Sequence, residues 1–373
     1  MPNLVISSIK DLYSARLDHG YYDEVYLRLG ELKEVGLLRH AIKYGFFLIK
    51  EHGLLRMHCP PISGYGFSTR RVAFWQVRNE VMKVLRDDVD TVEISDKEGA
   101  IVLRKRKQLA PTSRITFGIV FSGNLSEEPL LFRALDSIVS IEGATSENSE
   151  VIIIGSSAYE QARLFSRYPN LTLRYEILDD VEDHGRFMVC RKKDLAYRLA
   201  HQDIVAISHT RIVYPKDLLS WLDRRQFEVA APRVVYVHEG EKRPYLDFGL
   251  MGSYDTARPN PALAIGSQDF GTEYLYFFRR RVPYADGGIT FFDKRRIKES
   301  PYNKYIAWGE GEDLEMCGRL YFEGFLIDYL FEIECQSQTS KLVMNTSYLK
   351  HPGVMPRKLA TAIEKRLVSR RFE

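Results

Sequence analysis

The 373-residue chain is poor in cysteine: it has only Cys59, Cys190, Cys317 and Cys335. No two form a Cys-x-x-Cys pair and none has a histidine at zinc spacing. A disulfide framework and a structural zinc motif are therefore both excluded, and buried thiols in a reducing compartment are expected. No stretch approaches the roughly 18 apolar residues of a membrane span. The opening "MPNLVISSIKDLYSARLDHG" lacks the apolar core of a secretory signal, so a cytoplasmic location is expected. A net charge of +3 argues against a dedicated nucleic-acid binder, and no nucleic-acid partner is expected. There is no internal repeat and no low-complexity tract.

What is present is apolar content of 45%, enough for a sizeable core in a chain of two-domain length. A charge run followed by Pro111 and small polar residues, "LRKRKQLAPTSRI" at 103–115, reads as a linker. Residues 1–110 are read as a small α/β domain, 111–350 as a larger one, and 351–373 as a basic amphipathic tail. In the first, "GELKEVGLLRHAIKYGFFLIKEHG" spaces Leu32, Val35, Leu38, Ile42 and Phe46 as a helix does, with Gly53 as its stop. "LLRMHCPP" reads as a strand. Val77, Val81 and Leu85 give a second helix one apolar face. Lys97-Glu98-Gly99 reads as a hairpin turn between two short strands.

From residue 113 onward, strands alternate with helices. "RITFGIVFSG", "SEVIIIGSS", "LTLRYEIL" and "DIVAISHTRIVYP" are the strands; "EEPLLFRALDSIVSI" and "RKKDLAYRLAHQ" are the helices. This alternation predicts a mostly parallel sheet flanked by helices, with ligands beyond the carboxyl ends of the strands. Ser122, Ser156 and "SHT" at 208–210 fall at such ends. Farther on, "WGEGEDLEMCGRLYFEG" opens an amphipathic helix with Glu310, Glu312, Asp313 and Glu315 beside Trp308. Acids in a first helical turn commonly just offset the helix dipole. On that plainer reading Glu315–Arg319 is an i,i+4 pair and Leu314, Cys317 and Leu320 are core.

The order of elements, "A.QDIVAI…YPKDLL" (residues 200–219), Gly287-Gly288 before "ITFF", and "WGEGEDLE" together resemble a GT-A-fold glycosyltransferase of the family 2 kind with a galactosyltransferase-like C-terminal segment. The resemblance covers about two thirds of the chain. It implies a GT-A-like sheet, a nucleotide-sugar donor, a saccharide or lipid-linked saccharide acceptor, and inverting transfer in surface-polysaccharide synthesis. Such transfer needs a base for the acceptor hydroxyl and stabilisation of the departing diphosphate. By the resemblance the base is Asp313, with Glu312 second; Gly287, Gly288 and Trp308 lie on the acceptor side. Ser122, Ser156, Lys193, Asp194, His209, Arg211 and Asp247 lie on the donor side.

Two family carboxylates are missing. The Asp-x-Asp that holds Mn²⁺ or Mg²⁺ against the diphosphate aligns with His209 and Arg211, and the base-contacting Asp with Gly155-Ser156-Ser157. Three explanations stand open: a metal-free site in which Arg211, Lys193 and Arg191 neutralise the diphosphate; a metal site built from His209 and His351; or a non-catalytic saccharide-binding or scaffolding protein. Residues 1–110 resemble, without a diagnostic motif, the C-terminal half of a class I methyltransferase. The Gly-x-Gly-x-Gly loop is absent, so a scaffold role is expected there. In the tail, Leu359, Ile363 and Leu367 share a face among Arg and Lys residues. That is the pattern of a helix lying on an anionic membrane surface, or of one packed on the domain.

Overall fold

A computed structural model describes residues 2–15, 18–30, 38–59, 74–179, 187–238, 241–244, 285, 287–308 and 310–339. Asp247, His351 and the tail lie outside the described residues, as do 273–284, where "EYLYFFRRRVPY" mixes aromatics with three arginines. The fold is mixed α/β, with two sheets flanked by helices.

The first sheet contains β1 (Asn3–Ile6), β2 (Tyr22–Arg28), β3 (Ile49–His58), β4 (Val89–Ser95) and β5 (Ala100–Lys105), in the order β1-β2-β3-β5-β4. β1, β2 and β3 pair in parallel; the hairpin strand β5 runs antiparallel between β3 and β4. Its helices are α1 (Ile9–Ala15), α2 (Leu38–Leu48) and α3 (Phe74–Val84). On α3, Val77 and Val81 are buried as their spacing predicts.

The helix expected to run on to Gly53 instead ends at Leu48, and β3 takes over at Ile49. Strand pairing with β2 overrides the helical period here. The ladder carries a bulge, in which His52 has φ +64 and the register slips between Tyr22 and Glu24. Gly53 is no helix stop. A Cβ there would lie 2.9 Å from the Asp23 carbonyl oxygen, so glycine lets the two strands close over the bulge.

The second sheet contains β6 (Ile115–Val120), β7 (Ser149–Gly155), β8 (Leu173–Ile177), β9 (Ile204–His209), β10 (Ile212–Val213), β11 (Val229–His238), β12 (Glu241–Pro244), β13 (Ile289–Asp293) and β14 (Ile327–Ser337). The order is β10-β14-β11-β13-β9-β6-β7-β8, with β12 on β11. β8, β7, β6 and β9 are parallel, as the alternation predicts. β13 is inserted antiparallel between β9 and β11. The helices are α4 (Glu128–Val139), α5 (Ala162–Arg167), α6 (Val189–Leu199), α7 (Leu218–Leu222) and α8 (Glu312–Glu323).

Every residue of β6 is buried, the mark of a strand covered on both faces. Its Gly118 brings α6 onto the sheet: a Cβ would lie 2.6 Å from Ile207 Cδ1 and 3.1 Å from the Ala196 methyl. Burying each Ile or Val side chain of this strand contributes about 1.5–3 kcal/mol. The register aligns Val120 with both Ile154 and His209, and Ser208 with Ile289. The carboxyl ends of β6, β7 and β9 and the start of β13 are therefore level.

α2 joins the two sheets. All eleven of its residues are buried, Arg39, His40 and Lys43 included. Lys43 Nζ donates to Glu228 Oε1 at 2.7 Å, and the Tyr44 hydroxyl donates to Asp328 while accepting from Arg225 Nη2 at 2.7 Å. One apolar cluster runs from Ile6 through α2 to Phe331.

Candidate functional site

The level strand ends form a shelf. Phe121 and Ser122 follow β6, Ser156 follows β7, and His209 ends β9. Gly287 and Gly288 lead into β13, and the His209 N–H donates to the Gly288 carbonyl at 3.1 Å. The start of α8 rests on this shelf. Gly311 takes the residue before the helix at φ +76, a left-handed conformation that a side chain would strain. The first turn carries Glu312, Asp313 and Glu315.

These acids are not equivalent. Glu312 Oε1 lies 3.4 Å from Lys193 Nζ, whose side chain is completely buried. The same ammonium donates to the Gly287 carbonyl at 2.8 Å. The Gly287 N–H turns the other way and donates to Asp313 Oδ2 at 3.2 Å. A Cβ at Gly287 would lie 2.9 Å from Glu312 Oε1 and 3.3 Å from Lys193 Nζ, so a side chain there would push on the tips of the two side chains that meet over the turn. Glu315 is taken by Arg319, Nε to Oε1 at 3.0 Å, one turn along. Glu310 Oε2 accepts the Ala307 N–H at 2.9 Å. Asp313 is held by the backbone on both oxygens: Oδ2 accepts from Gly287, and Oδ1 accepts the Leu314 N–H at 2.9 Å.

Trp308 is 43% exposed beside these acids. Its backbone N–H donates to the Phe187 carbonyl at 2.8 Å, and its ring meets His209 edge to face with centroids 5.2 Å apart. The ring is thus held from one side and open to solvent on another, as a stacking surface requires. Below it, Met316, Cys317 and Leu320 are buried. Leu314, read as core on the plainer reading, is 57% exposed: it projects from the outer side of the first turn. Burial pushes the Cys190 and Cys317 thiols up to about 12, which leaves them inert as nucleophiles.

No family model and no curated protein matches the sequence. Solved structures similar to the chain include a mannosyltransferase, PcManGT from Pyrobaculum calidifontis, in complex with GDP-Man and Mn²⁺. The identity is 16% over 72% of this chain and 64% of that one, with a TM-score of 0.39. Residues 1–349 of S. aureus TarS in complex with UDP-GlcNAc are 12% identical over 61% of this chain and 59% of that one, with a TM-score of 0.39. The complex of TarS with UDP is 11% identical over 61% of each chain, with a TM-score of 0.40. The chain spans less than two thirds of the length of these structures. At such scores they carry no weight for the site, which stands on its own residues.

The shelf brings together Gly287, Gly288, Trp308, Glu312, Asp313, Lys193 and His209. Several of the donor-side candidates make contacts of their own within the fold. The Lys193 ammonium faces Gly287 and Glu312 and is closed to solvent. Asp194 pairs with Arg198 Nη2 at 2.9 Å, one turn on. The Arg211 carbonyl accepts the Gln338 N–H at 2.8 Å, tying the turn after β9 to the end of β14. Ser122 Oγ accepts the Asn124 N–H at 3.1 Å, which shapes the turn into α4.

Two residues join the shelf that sequence reasoning does not single out. Asp179 lies just after β8. Its Oδ1 accepts from Ser156 Oγ and from the Ser157 N–H, each at 2.7 Å, and these bonds hold its carboxyl below the usual range. Its place after a parallel strand is the signal that could have found it. Lys192 is buried, and Nζ donates to the Phe121 carbonyl at 3.1 Å beneath the end of β6.

Among the described residues no three of His, Cys, Asp and Glu are grouped to hold a metal. His209 lies at the shelf, and His351, its expected co-ligand, is outside the described residues. The described residues thus do not form a fitting Mn²⁺ or Mg²⁺ site. No described helix is long and apolar enough to cross a membrane.

Proposed function

We propose that the chain is a glycosyltransferase that moves a sugar from a nucleotide-sugar donor to a saccharide hydroxyl. The observation that carries this reading is the division of labour in the Glu312-Asp313 pair. Lys193 occupies Glu312, whereas Asp313 is fixed by backbone N–H groups beside the exposed ring of Trp308. Asp313 is then the base. It takes the proton of an acceptor hydroxyl, that oxygen bonds to the anomeric carbon, and the bond to the nucleotide diphosphate breaks with its electrons leaving on the diphosphate. One displacement inverts the anomeric centre. Trp308 supplies a stacking surface for the acceptor ring, and Gly287 and Gly288 allow its close approach.

On the donor side, Asp179 with Ser156 supplies polar groups where the resemblance leaves only serines, and Arg211 is the cation for the leaving diphosphate. We place the acceptor among lipid-linked or surface saccharides, with the tail at an anionic membrane surface. In this reading residues 1–110 and 111–350 are two domains; the connection expected at 103–115 shortens to 106–114, because 103–105 belong to β5, where Lys105 is buried, and Ile115 opens β6.

The test is thermal stabilisation by a panel of nucleotides and nucleotide sugars, GDP-mannose and UDP-N-acetylglucosamine among them, each with and without Mn²⁺. A donor at 100 times its Kd adds about 2.7 kcal/mol of stability. A shift with one nucleotide sugar supports a donor site, and its dependence on Mn²⁺ separates handling by Arg211 from handling by His209. No shift with any donor sinks the reading and favours a non-catalytic saccharide-binding protein, the reading that the missing carboxylates suggest.

A further inference from the structure

The two ends of α8 are held by different parts of the chain. Its start is held by Gly287 and Lys193 of the second sheet's layer. Its last turn contains no basic residue. Helix carbonyl ends favour cations, because the final C=O groups lack partners within the helix and carry partial negative charge. Here the cations come from residues 1–110. Arg39, the second residue of α2, is 3% exposed. Its Nη1 donates to the carbonyls of Tyr321 and Phe325, the latter at 3.2 Å. The guanidinium lies 3.6 Å from the centre of the Tyr321 ring, and its Nε is bonded to Glu80 of α3. Arg86, just after α3, donates from Nη2 to the Glu323 carbonyl at 3.0 Å. Gly324 closes the helix at φ +100, and a Cβ there would lie 2.6 Å from the Lys83 carbonyl oxygen. Three carbonyls at the helix end thus meet two arginines of another part of the chain, at a contact that admits only glycine.

We propose that residues 1–110 are a brace for α8, with Arg39 and Arg86 as positioning residues that fix the direction from which Asp313 meets substrate. The catalytic half of this proposal rests on the glycosyl-transfer reading; the brace rests on the contacts alone. A 12-residue helix is about 18 Å long, so neither arginine touches the reacting atoms. They act through a rod pinned at both ends. A misplacement of about 1 Å at a reacting group can lower turnover on the order of 100-fold.

The experiment uses the full chain and three variants: Arg39→Met, Arg39→Lys and Arg86→Ala. Amide hydrogen exchange is followed in α8 and in β6 and β9, alongside turnover and donor Kd. The expected result is exchange faster by about ten-fold or more in the second half of α8. β6 and β9 should be unchanged, kcat lower, and donor Kd the same. Arg39→Lys keeps the charge but loses the planar fork, and falls between wild type and Arg39→Met. Arg86 is exposed, so Arg86→Ala reports on the brace even if Arg39→Met does not fold.

Unchanged exchange in α8 for both Arg86→Ala and Arg39→Lys overturns the brace. So does equal loosening of β6 and β9, which marks a general loss of stability. Faster exchange confined to α8 with unaltered kcat overturns the positioning role. If the wild type binds no donor and turns nothing over, local loosening of α8 still upholds the brace, and it is the transfer reading that fails.

Discussion

α2 and α8 are of nearly equal length, at 11 and 12 residues, and both are rich in ionisable groups. They use those groups in opposite ways. α2 is buried on every side, and Arg39, Lys43 and Tyr44 each meet a partner inside the fold. α8 buries one stripe, Met316, Cys317 and Leu320, and leaves Glu312, Asp313 and Glu315 half-buried near the exposed ring of Trp308. A charge enclosed with its partner has no freedom to take or give a proton to a visitor; it fixes how elements meet. A carboxylate anchored by backbone N–H groups at an open edge is held in place where a visitor arrives. In our proposal Glu312, which meets Lys193, and Asp313, which accepts from the Gly287 and Leu314 N–H groups, divide along this line although they are adjacent.

The largest effect is expected where that line is crossed. Asp313→Asn keeps the shape and removes the proposed base. Turnover should fall about 10³-fold, or about 4 kcal/mol in barrier, with the unfolding midpoint within about 2 °C of wild type. Steady-state rates and a thermal melt on one preparation decide it, and full activity would return Asp313 to an ordinary first-turn acid.

The matching change in α2 should do the reverse. Lys43→Met leaves Glu228 buried with the more distant Arg296, at 3.9 Å, and the Leu326 N–H. A buried pair broken on one side loses about 3 kcal/mol. Urea unfolding should show that loss, while the folded fraction keeps its turnover. Lys43→Met combined with Glu228→Gln should recover about half of it, because no unpaired charge is left behind. Equal stability of the single and double variants would show that the loss does not come from a stranded Glu228 charge.

The same contrast governs what is legible in the sequence. Alternating strands and helices from 113 onward predict the parallel half of the second sheet, because βαβ crossovers leave a local pattern. The acids at 310–315 and the glycines before β13 are likewise local signals. Nothing local marks β13 as an antiparallel insertion, since its partners β9 and β11 are set by packing. The same holds for α2: a spacing of Leu38, Ile42 and Phe46 suits a half-exposed helix, and the partners that let Lys43 and Arg39 go inside lie far along the chain at Glu228, Tyr321 and Phe325. Lys193 reads as a phosphate ligand beside Arg191 in sequence. Only the fold shows its ammonium turned onto Gly287.

The smallest effect distinguishes the helices by pH. His40, on α2, is 2% exposed, its ring tilted against that of Tyr44 with centroids 6.1 Å apart. Burial first, and then the positive charges of Arg39 and Arg225, hold its pKa well below the ordinary 6.5. The native state therefore keeps the ring neutral at a pH where the unfolded chain protonates it. Above about 6.5 neither state binds the proton, and His40 adds no pH dependence. As the pH falls below 6.5 the unfolded state gains a proton that the native state refuses. Stability is then lost by up to about 1.4 kcal/mol per pH unit until the folded pKa is reached. Urea midpoints at about pH 7.5, 6.5 and 5.5 for wild type and His40→Asn isolate this slope, since other groups titrate alike in both. The wild type should weaken more steeply over the acid half of that range. Parallel slopes would mean that His40 is protonated in place, and α2 would then hold a charge that its packing against Arg39 and Arg225 ought to forbid.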